Sequence, residues 1–441
     1  PVPSALAALQ GVSPGVTITR SSGQPGSEGY DIRIRGLSSA NTADALILVD
    51  GIEQDLGLIN PDDIESISVL KDAAAAAIYG ARAAAGVVLV TTKKGAAGKT
   101  KISFNTYYGM NITARQPERL NSWDEQTLID EARFNATGSK EFSDEQKQWV
   151  ENANFDYRPN IAGQDRWDYY GNTNWVKEGM DKYNGMQSAN LSASGGTTDQ
   201  NYLLSTGYYK RDGVLRYGPD DNSRYNIRFN FNDKLNKNVD LTAIMGYIGS
   251  VVNSNSYGTS GIIDRLYRIR SRQDLYTPPE DVTGQIYNGD LQVNPIDIEK
   301  NAGFQKQYYD TFTGKLDLKI HDIVKGLRLT LSGSRNQDYY SSETDRRSLY
   351  WYGRSVKTIR FSANVPNSLN ETKNRGYHDN IQALLDYDFS INHEHNFHLL
   401  GGAAYEQYRK DEFSAGALSM ITNDFFSFNY ADLTTKTNSD D

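Results

Sequence analysis

The sequence contains no cysteine among its 441 residues, only 12 prolines and five histidines, and no excess of positive charge. The absence of cysteine excludes disulfide scaffolds and cysteine-based metal sites. Lys and Arg number 46 against 55 Asp and Glu, so the formal net charge is −9. A chain of this charge has no cationic excess with which to neutralise a phosphate backbone, and we expect no nucleic-acid partner.

A long uninterrupted apolar segment is also missing. The nearest approach, residues 73–92, contains Arg82 and two glycines and is rich in alanine, which contributes little to membrane insertion. We therefore interpret it as a short helix over 72–79, a glycine-bounded loop from Gly80 to Gly86, and a strand over 87–92.

The first 98 residues are predicted to form one small α+β domain. Short apolar strands alternate there with glycine-rich turns, at residues 16–19, 32–35, 46–49, 67–70 and 87–92. The glycines do not have the spacing of a phosphate-binding loop, so no nucleotide site is predicted. The pair Asp50-Gly51 follows an apolar strand and predicts a tight turn, with a catalytic Asp50 as the less favoured alternative.

From Lys101 onward, apolar and polar residues alternate with a period of two, which is typical of strands with one apolar and one polar face. In residues 224–231 the apolar side chains are Tyr225, Ile227, Phe229 and Phe231, and the polar ones are Arg224, Asn226, Arg228 and Asn230. The alternation predicts nine strands, near 101–112, 185–195, 200–212, 223–232, 238–251, 307–320, 326–340, 375–390 and 396–412.

The connections between these strands alternate between long and short. The long ones are 113–184, 213–222, 252–306 and 341–374, and the short ones have about four or five residues each. Short turns on one side and long loops on the other are typical of a transmembrane β-barrel. A soluble sandwich has the same period within its strands but no reason to separate its loops by length.

Nine strands leave two open edges, and backbone groups at an open edge have no partners in lipid. The sequence also begins Pro1-Val2-Pro3 without an initiator Met, and it stops in what should be another long loop. We therefore expect the chain to be a piece of a larger barrel with a processed or truncated start.

Residues 5 to 95, approximately, resemble the plug domain of SusC-like TonB-dependent outer-membrane transporters (the SusC/RagA family). The most specific part of the resemblance runs from Ile64 through Lys71-Asp72 and the alanine run to Val88. Upstream, four further segments fall in the family's order: Pro14-Gly15-Val16, Ile32 to Gly36, Val49-Asp50-Gly51 and Ile59 to Ile64. The later residues match mainly in layout.

The resemblance implies a fold and a function. Residues 1–98 are expected to be a plug domain, and residues 99–441 the N-terminal part of a transmembrane β-barrel of about 22 strands with long extracellular loops. The implied function is TonB-dependent import of an oligosaccharide or oligopeptide across the outer membrane of a Gram-negative bacterium. A SusD-like surface lipoprotein is the implied partner for substrate capture. The TonB contact cannot be assigned to any residue.

The resemblance also implies roles for individual residues. In this family, the arginine directly before the glycine that follows the second plug strand helps to hold the plug against the barrel wall. Arg35, which precedes Gly36, is the matching position in this sequence. Arg33 shares its strand face, with a solvated charged face as the alternative. Two glycine-rich loops, Gly23 to Tyr30 and Tyr79 to Gly86, match the segments that form the outward-facing apex of the plug. The alternative, that these loops are only structural turns, is equally favoured. The candidate substrate-facing residues in these loops are Gly23, Gln24, Ser27, Tyr30, Tyr79 and Arg82.

Four of the five tryptophans lie in the connection 113–184, at positions 123, 149, 167 and 175. Flat aromatic rings can stack on sugars or peptide side chains, so Trp123, Trp149, Trp167 and Trp175 are candidate ligand contacts. The same connection contains two capping-box patterns, Ser122-x-x-Glu125 and Ser143-x-x-Gln146. These predict short amphipathic helices, and packing of the tryptophans beneath them is the favoured alternative.

No enzyme, cofactor or metal site is predicted. The sequence contains no Gly-x-Ser-x-Gly nucleophile elbow. Three of the five histidines lie in the segment His393 to His398, which resembles a metal-binding cluster but falls on a predicted short turn, so we interpret it as a polar turn. Two other functions stay open as alternatives: a siderophore or cobalamin receptor of the wider TonB-dependent class, and a soluble all-β glycan-binding protein.

Overall fold

The structure is a computed structural model. It describes residues 4–11, 15–34, 45–71, 83, 85–113, 116–152, 158–159, 167–168, 170–273, 294–352, 359–391 and 395–440.

The N-terminal domain, here the described residues from 4 to 92, combines one short helix with two small sheets. Helix α1 spans Ala5–Leu9, and strands β1 and β2 form an antiparallel pair. The second sheet has the order β4-β3-β6-β5, in which β3 and β6 run parallel. The strand bounds are β1 Val16–Arg20, β2 Tyr30–Ile34, β3 Leu46–Val49, β4 Ile52–Glu53, β5 Ile64–Leu70 and β6 Val87–Thr92.

The predicted turn at Asp50-Gly51 is confirmed. Asp50 and Gly51 connect β3 to β4, and both have positive φ, 50° and 83°. Two such residues in a row form the hairpin turn that fits the twist of the strands it joins. The predicted helix over 72–79 and loop 80–86 fall largely outside the described residues.

The rest of the chain forms one large antiparallel sheet, here called the wall, in which each strand pairs with its neighbours in sequence order among the long strands. All nine predicted strands are present, and most extend further toward the long connections. Their bounds are β7 Gly98–Ile112, β10 Tyr183–Gly196, β11 Gln200–Asp212, β12 Asp221–Asn236, β13 Val239–Asn255, β14 Gly303–His321, β15 Leu327–Arg346, β18 Ser368–Ile391 and β19 His395–Leu418.

A tenth wall strand was not predicted. Strand β20, Thr437–Asp440, pairs with residues 413–416 of β19. The alternation pattern predicts a loop, and not a strand, for residues 437–440. This strand is short and polar, so it carries no alternation of apolar residues by which to find it.

The long connections contain their own elements. The helices are α2 Ser122–Thr137, α3 Asp144–Glu151, α4 Trp175–Gly179, α5 Thr259–Arg268 and α6 Pro295–Asn301. Two short hairpins complete them: β8 Arg158–Pro159 with β9 Trp167–Asp168, and β16 Leu349–Tyr352 with β17 Ile359–Ala363. Within the described part of the chain, none of the helices is long and apolar enough to cross a bilayer.

Of the two predicted capping boxes, one is confirmed and one is displaced. Ser143 caps α3 together with Gln146 as predicted. Helix α2 instead begins one residue earlier than expected, because Asn121 is its cap and accepts a hydrogen bond from the Asp124 N–H at 2.8 Å. Asn is as favourable as Ser at an N-cap, so either residue could begin the helix. The capping-box pattern of Ser122 and Glu125 therefore predicted the wrong N-cap residue.

The two faces of the wall are reversed relative to a soluble protein. On β12 the apolar Tyr225 and Ile227 are about half exposed, whereas Arg224, Asn226, Arg228 and Asn230 are each at most 6% exposed. A soluble sandwich would bury the apolar set instead. The outer face continues across the sheet with exposed apolar side chains such as Ile102, Phe104, Met245, Leu316, Leu399 and Tyr405. The apolar band therefore faces lipid, as expected for a transmembrane barrel.

We expect Ile227→Arg to destabilise the folded protein by about 2–4 kcal/mol, because Ile227 lies mid-strand on the lipid-facing side. The matched control is Ile323→Arg, in the short turn between β14 and β15, where the side chain is 72% exposed beyond the band. The measurement is urea unfolding of the full-length protein folded into phospholipid vesicles. Equal effects of the two substitutions would contradict this position of the band.

Candidate functional site at the interface between N-terminal domain and wall

The N-terminal domain lies against the inner, polar face of the wall, and β12 provides most of the contact. Arg224 donates to the Gly57 carbonyl at 2.7 Å, and Asn226 donates to the Leu58 carbonyl at 3.1 Å. Successive inward residues of one strand thus bind successive backbone groups of the domain. This inner face is polar because it hydrogen-bonds a protein surface, and the loss of water is compensated by those bonds.

Asp50 is the centre of the strongest contact. Its carboxylate accepts hydrogen bonds from the Thr92 N–H at 3.0 Å and the Thr92 hydroxyl at 2.7 Å, and it forms an ion pair with Arg228. Arg228 also donates to the Thr92 hydroxyl at 3.1 Å, and Lys315 of β14 donates to the Asp50 carbonyl at 2.8 Å. We call this group the Asp50 junction.

The local fold explains why Asp50 can reach the wall. Asp50 lies in the two-residue turn between β3 and β4, at positive φ, where its carboxylate contacts both Thr92 and Arg228. Thr92 ends the neighbouring strand β6 and orients the carboxylate. Next to Arg228 on the same face, Asn230 extends the junction with hydrogen bonds to the Thr92 hydroxyl and the Lys93 carbonyl at 3.1 and 2.7 Å.

Burial makes the Asp50 junction sensitive to the loss of either charge. The side chains of Asp50 and Arg228 are each only 8% exposed. A buried pair contributes little net stability compared with apolar residues, but removing one partner strands the other charge at a cost of about 3–5 kcal/mol. The junction therefore specifies where the domain sits and penalises partial separation.

A second contact lies at the end of β11 that adjoins a long connection. Arg211 forms an ion pair with Glu28 at 3.0 Å and donates to the Gly23 carbonyl at 3.0 Å. Glu28 and Gly23 belong to the loop between β1 and β2. This loop therefore reaches toward the long-connection side of the wall, which is the outward side of a transmembrane barrel.

A third contact involves the segment Asn60 to Asp63. Asn60 donates to the Asn190 side chain at 2.9 Å, and Asn190 in turn donates to the Asp62 carboxylate. Burial raises the pKa of the Asp63 carboxyl, although the Ser205 hydroxyl and the charge of Arg228 act in the opposite direction.

Of the two predicted latch arginines, the structure describes only Arg33 and places it away from the contacts described above. Arg33 is largely exposed on β2 and lies 3.9 Å from Asp31 of the same strand, because its neighbours Ile32 and Ile34 fill the domain core. Arg35 lies outside the described residues. The observed ion pairs have the opposite polarity, with carboxylates on the N-terminal domain and guanidinium groups on the wall.

The predicted apex residues are partly described. Gly23 lies at the contact with Arg211, and the Ser27 N–H donates to the Gln24 carbonyl at 3.2 Å. Ser27 and Tyr30 also line a cavity of about 360 Å³ between this loop and the wall. Tyr79 and Arg82 lie outside the described residues.

The loop tryptophans pack mainly into cores. Trp175 is 1% exposed among Ile262, Leu266 and Ile298, and its indole N–H donates to the Arg270 carbonyl at 3.2 Å. Trp175 is thus part of the apolar core of the long connections, which is the favoured alternative of the sequence analysis. Trp123 and Trp149 are half-buried against a smaller cluster that contains Phe142, Val150 and Tyr170. The Trp167 side chain lies outside the described residues.

Glu299 shows how tightly the long connections pack. It belongs to α6 and is completely buried. Burial raises the pKa of its carboxyl to about 8, and the nearby Asp220 carboxylate acts in the same direction. The adjoining Gly218 has φ of +74°, and a Cβ there would lie 2.4 Å from the Glu299 carbonyl oxygen, so this close approach requires glycine.

A small domain bound to the polar inner face of a lipid-facing antiparallel sheet is the arrangement of a plugged outer-membrane receptor. Comparison with known proteins agrees. Residues 1–87 match the TonB-dependent Receptor Plug Domain.

Among curated proteins, the chain is 28% identical over 435 residues to TonB-dependent receptor P3 of Formosa agariphila, covering 96% of this chain and 38% of that protein. It is 31% identical over 254 residues to TonB-dependent receptor SusC of Bacteroides thetaiotaomicron, covering 54% of this chain and 24% of SusC. The chain therefore spans less than half the length of these relatives.

Among solved structures, the RagAB peptide importer in its closed-closed state has the same fold, with a TM-score of 0.75 at 22% identity. The match covers 100% of this chain and 50% of the importer chain. By these comparisons the chain is similar to SusC-like TonB-dependent transporters, with a plug domain at residues 1–87 and the fold of the importer chain over its whole length.

We expect Arg228→Ala to increase the passive permeability of the outer membrane to a large antibiotic such as vancomycin, because the substitution leaves the Asp50 carboxylate buried without its ion-pair partner. Asp50→Asn should have a similar effect, and combining the two substitutions should add less than their sum because they disrupt one pair. Arg268→Ala is the matched control, since Arg268 lies in a long connection and its side chain is 75% exposed. Strong leakage from the control with none from Arg228→Ala would contradict this assignment of the junction.

We also expect the long connections to loosen as the pH rises through about 8, the pKa of Glu299. A Glu in an unfolded chain has a pKa near 4.3, so the folded loop binds the proton more tightly. The resulting stabilisation is complete below about pH 4 and is lost as the pH passes the folded-state pKa. Hydrogen exchange of residues 294–302, corrected for intrinsic rates, should show this loss in the wild type. Glu299→Gln should abolish the dependence; an unchanged profile would contradict it.

Proposed function

We propose that the chain is the plug and N-terminal barrel portion of an outer-membrane importer that takes up an oligosaccharide or oligopeptide. Residues 1–98 act as the plug and residues 99–441 as the first part of the barrel. The carrying observation is the Asp50 junction, a buried charged contact that holds a separate domain across the inner face of a transmembrane sheet. Such a contact closes the passage, and opening it requires work.

The work is supplied, in this proposal, by TonB from the periplasmic side, as the plug-domain match suggests. The cost of about 3–5 kcal/mol for stranding one buried charge is large compared with thermal energy. Spontaneous opening is therefore rare, and a pulling protein is needed.

Substrate capture is assigned to a SusD-like surface lipoprotein. The long connections fold into packed clusters on one side of the wall, around Trp175 and around Phe142, and these form a firm outer surface for a partner to cover. The proposal extends to the apex residues Gly23, Gln24, Ser27, Tyr30, Tyr79 and Arg82 as contacts of the incoming substrate. Transport is proposed to involve no catalytic step.

The proposal also includes a role for Arg33 and Arg35 in holding the plug against the barrel. It further includes ligand contacts by Trp123, Trp149 and Trp167. The exposed position of Arg33 leaves it accessible to a wall strand outside this chain.

The test is growth of the host on defined nutrients after deletion of the gene. A deletion strain should fail on one oligosaccharide or oligopeptide while growing normally on its monomers, because monomers pass through porins. Depletion of TonB should reproduce the defect. The wild-type gene should restore growth, and affinity purification from outer membranes should recover a lipoprotein.

Rescue of the deletion strain by excess iron or cobalamin would overturn the proposal in favour of a chelate receptor. Growth that is unaffected by depletion of TonB would exclude energy-coupled import.

A further inference from the structure

A group of side chains able to bind a metal joins the N-terminal domain to strands of the wall other than those at the Asp50 junction. Glu53 of β4, His378 of β18 and Glu406 of β19 each offer a ligand atom within 4.8 Å of the other two. The His378 Nε2 lies 2.6 Å from a Glu406 oxygen, and its Nδ1 lies 4.0 Å from a Glu53 oxygen. The imidazole is thus held between two carboxylates from different parts of the molecule.

The surroundings carry negative charge. The three residues line a cavity of about 750 Å³ together with Asp55 and Asp338. The described residues lining this cavity include four carboxylates and one imidazole, but no Lys or Arg. Where carboxylates converge in a partly enclosed space, a bound cation lowers their mutual repulsion.

A second feature also points to a ligand in this cavity. Gln54 follows Glu53 in the chain, lines the same cavity and is only 9% exposed. Among the residues that the structure describes, none provides a hydrogen-bond partner for its Nε2 group. A buried amide donor without an acceptor costs about 1–3 kcal/mol, and an oxygen held in the cavity would satisfy it.

We propose that Glu53, His378 and Glu406 bind a divalent transition-metal ion, with zinc as the best match, which links the N-terminal domain to the wall. One imidazole with two carboxylates is a donor set suited to such ions. Ligand atoms around tetrahedral zinc are separated by about 3.3 Å, given bonds of about 2.0 Å. To bind one ion through the His378 Nε2, the Glu406 oxygen must withdraw from 2.6 Å to about this separation, and the 44% exposed Glu53 side chain must rotate toward that nitrogen.

A water molecule completes the coordination. The cavity is large enough to hold it, and a metal-bound water or hydroxide oxygen would accept the hydrogen bond that Gln54 offers. The proposal therefore accounts for the carboxylate cluster, the position of the imidazole and the buried amide with one ion.

The location gives the ion a mechanical role. Strand β18 is separated from β12 by three strands of the wall, so the metal link and the Asp50 junction hold one hairpin of the domain against two separate parts of the wall. The existence of the site does not depend on the proposed function, but its effect on opening does.

The test is isothermal titration of zinc chloride into the full-length transporter in detergent after removal of metals. We expect one site per chain, and His378→Asn should weaken its affinity roughly tenfold or more, since even outer-shell substitutions cost 10- to 100-fold. Zinc X-ray absorption should show one imidazole nitrogen and carboxylate oxygens near 2.0 Å.

The matched control is His395→Asn, in the segment His393 to His398, which resembles a metal-binding cluster in sequence. Zinc affinity should be unchanged in this variant, and its loss there would place the metal at the turn and overturn the proposal. Glu53→Gln serves as a second variant if His378→Asn fails to assemble, because Glu53 is partly exposed. Unchanged zinc binding in Glu53→Gln or His378→Asn, or binding of calcium and magnesium but not zinc, would also overturn it.

Discussion

The buried ion pair between Asp50 and Arg228 is the interaction on which the arrangement of the molecule depends. It joins a turn of the N-terminal domain to the middle of a membrane-spanning strand, and hydrogen bonds to Thr92 fix its geometry. A pair of this kind adds little net stability over apolar packing, but it is costly to break on one side only. The contact thus favours a domain that is either fully seated or fully displaced.

The polar face of β12 follows from the same constraint. Its arginines and asparagines face inward because the other face must be apolar in lipid, and they stay buried because the N-terminal domain supplies backbone carbonyls as acceptors. The domain in turn uses the wall in its own packing, since Ile248 of β13 completes the cluster around Val49 and Leu56. Wall and domain therefore stabilise each other through both polar and apolar contacts.

Much of this fold could be predicted from sequence, because alternation and connection length are local signals. The strand 200–212 has the bounds that the pattern predicts, whereas β20 is too short and polar to show any period. The site was harder to predict. The alternation identified Arg224 and Arg228 as a polar face, but not that Asp50 meets it, since 178 residues separate Asp50 from Arg228. Glu53, His378 and Glu406 are likewise distant in sequence, and only the register of β18 with β19 brings His378 opposite Tyr408 and close to Glu406.

The row of Arg224, Asn226, Arg228 and Asn230 has one more consequence. If the domain is displaced as proposed, these groups lose their partners and face the passage that opens. The surface that a substrate then crosses bears two guanidinium groups and two amides, already spaced along a strand at about 6.6–6.8 Å intervals. In this proposal the same side chains bind the seated domain and line the open passage. A substitution that strengthens the contact at β12 would therefore also change the charge along the passage.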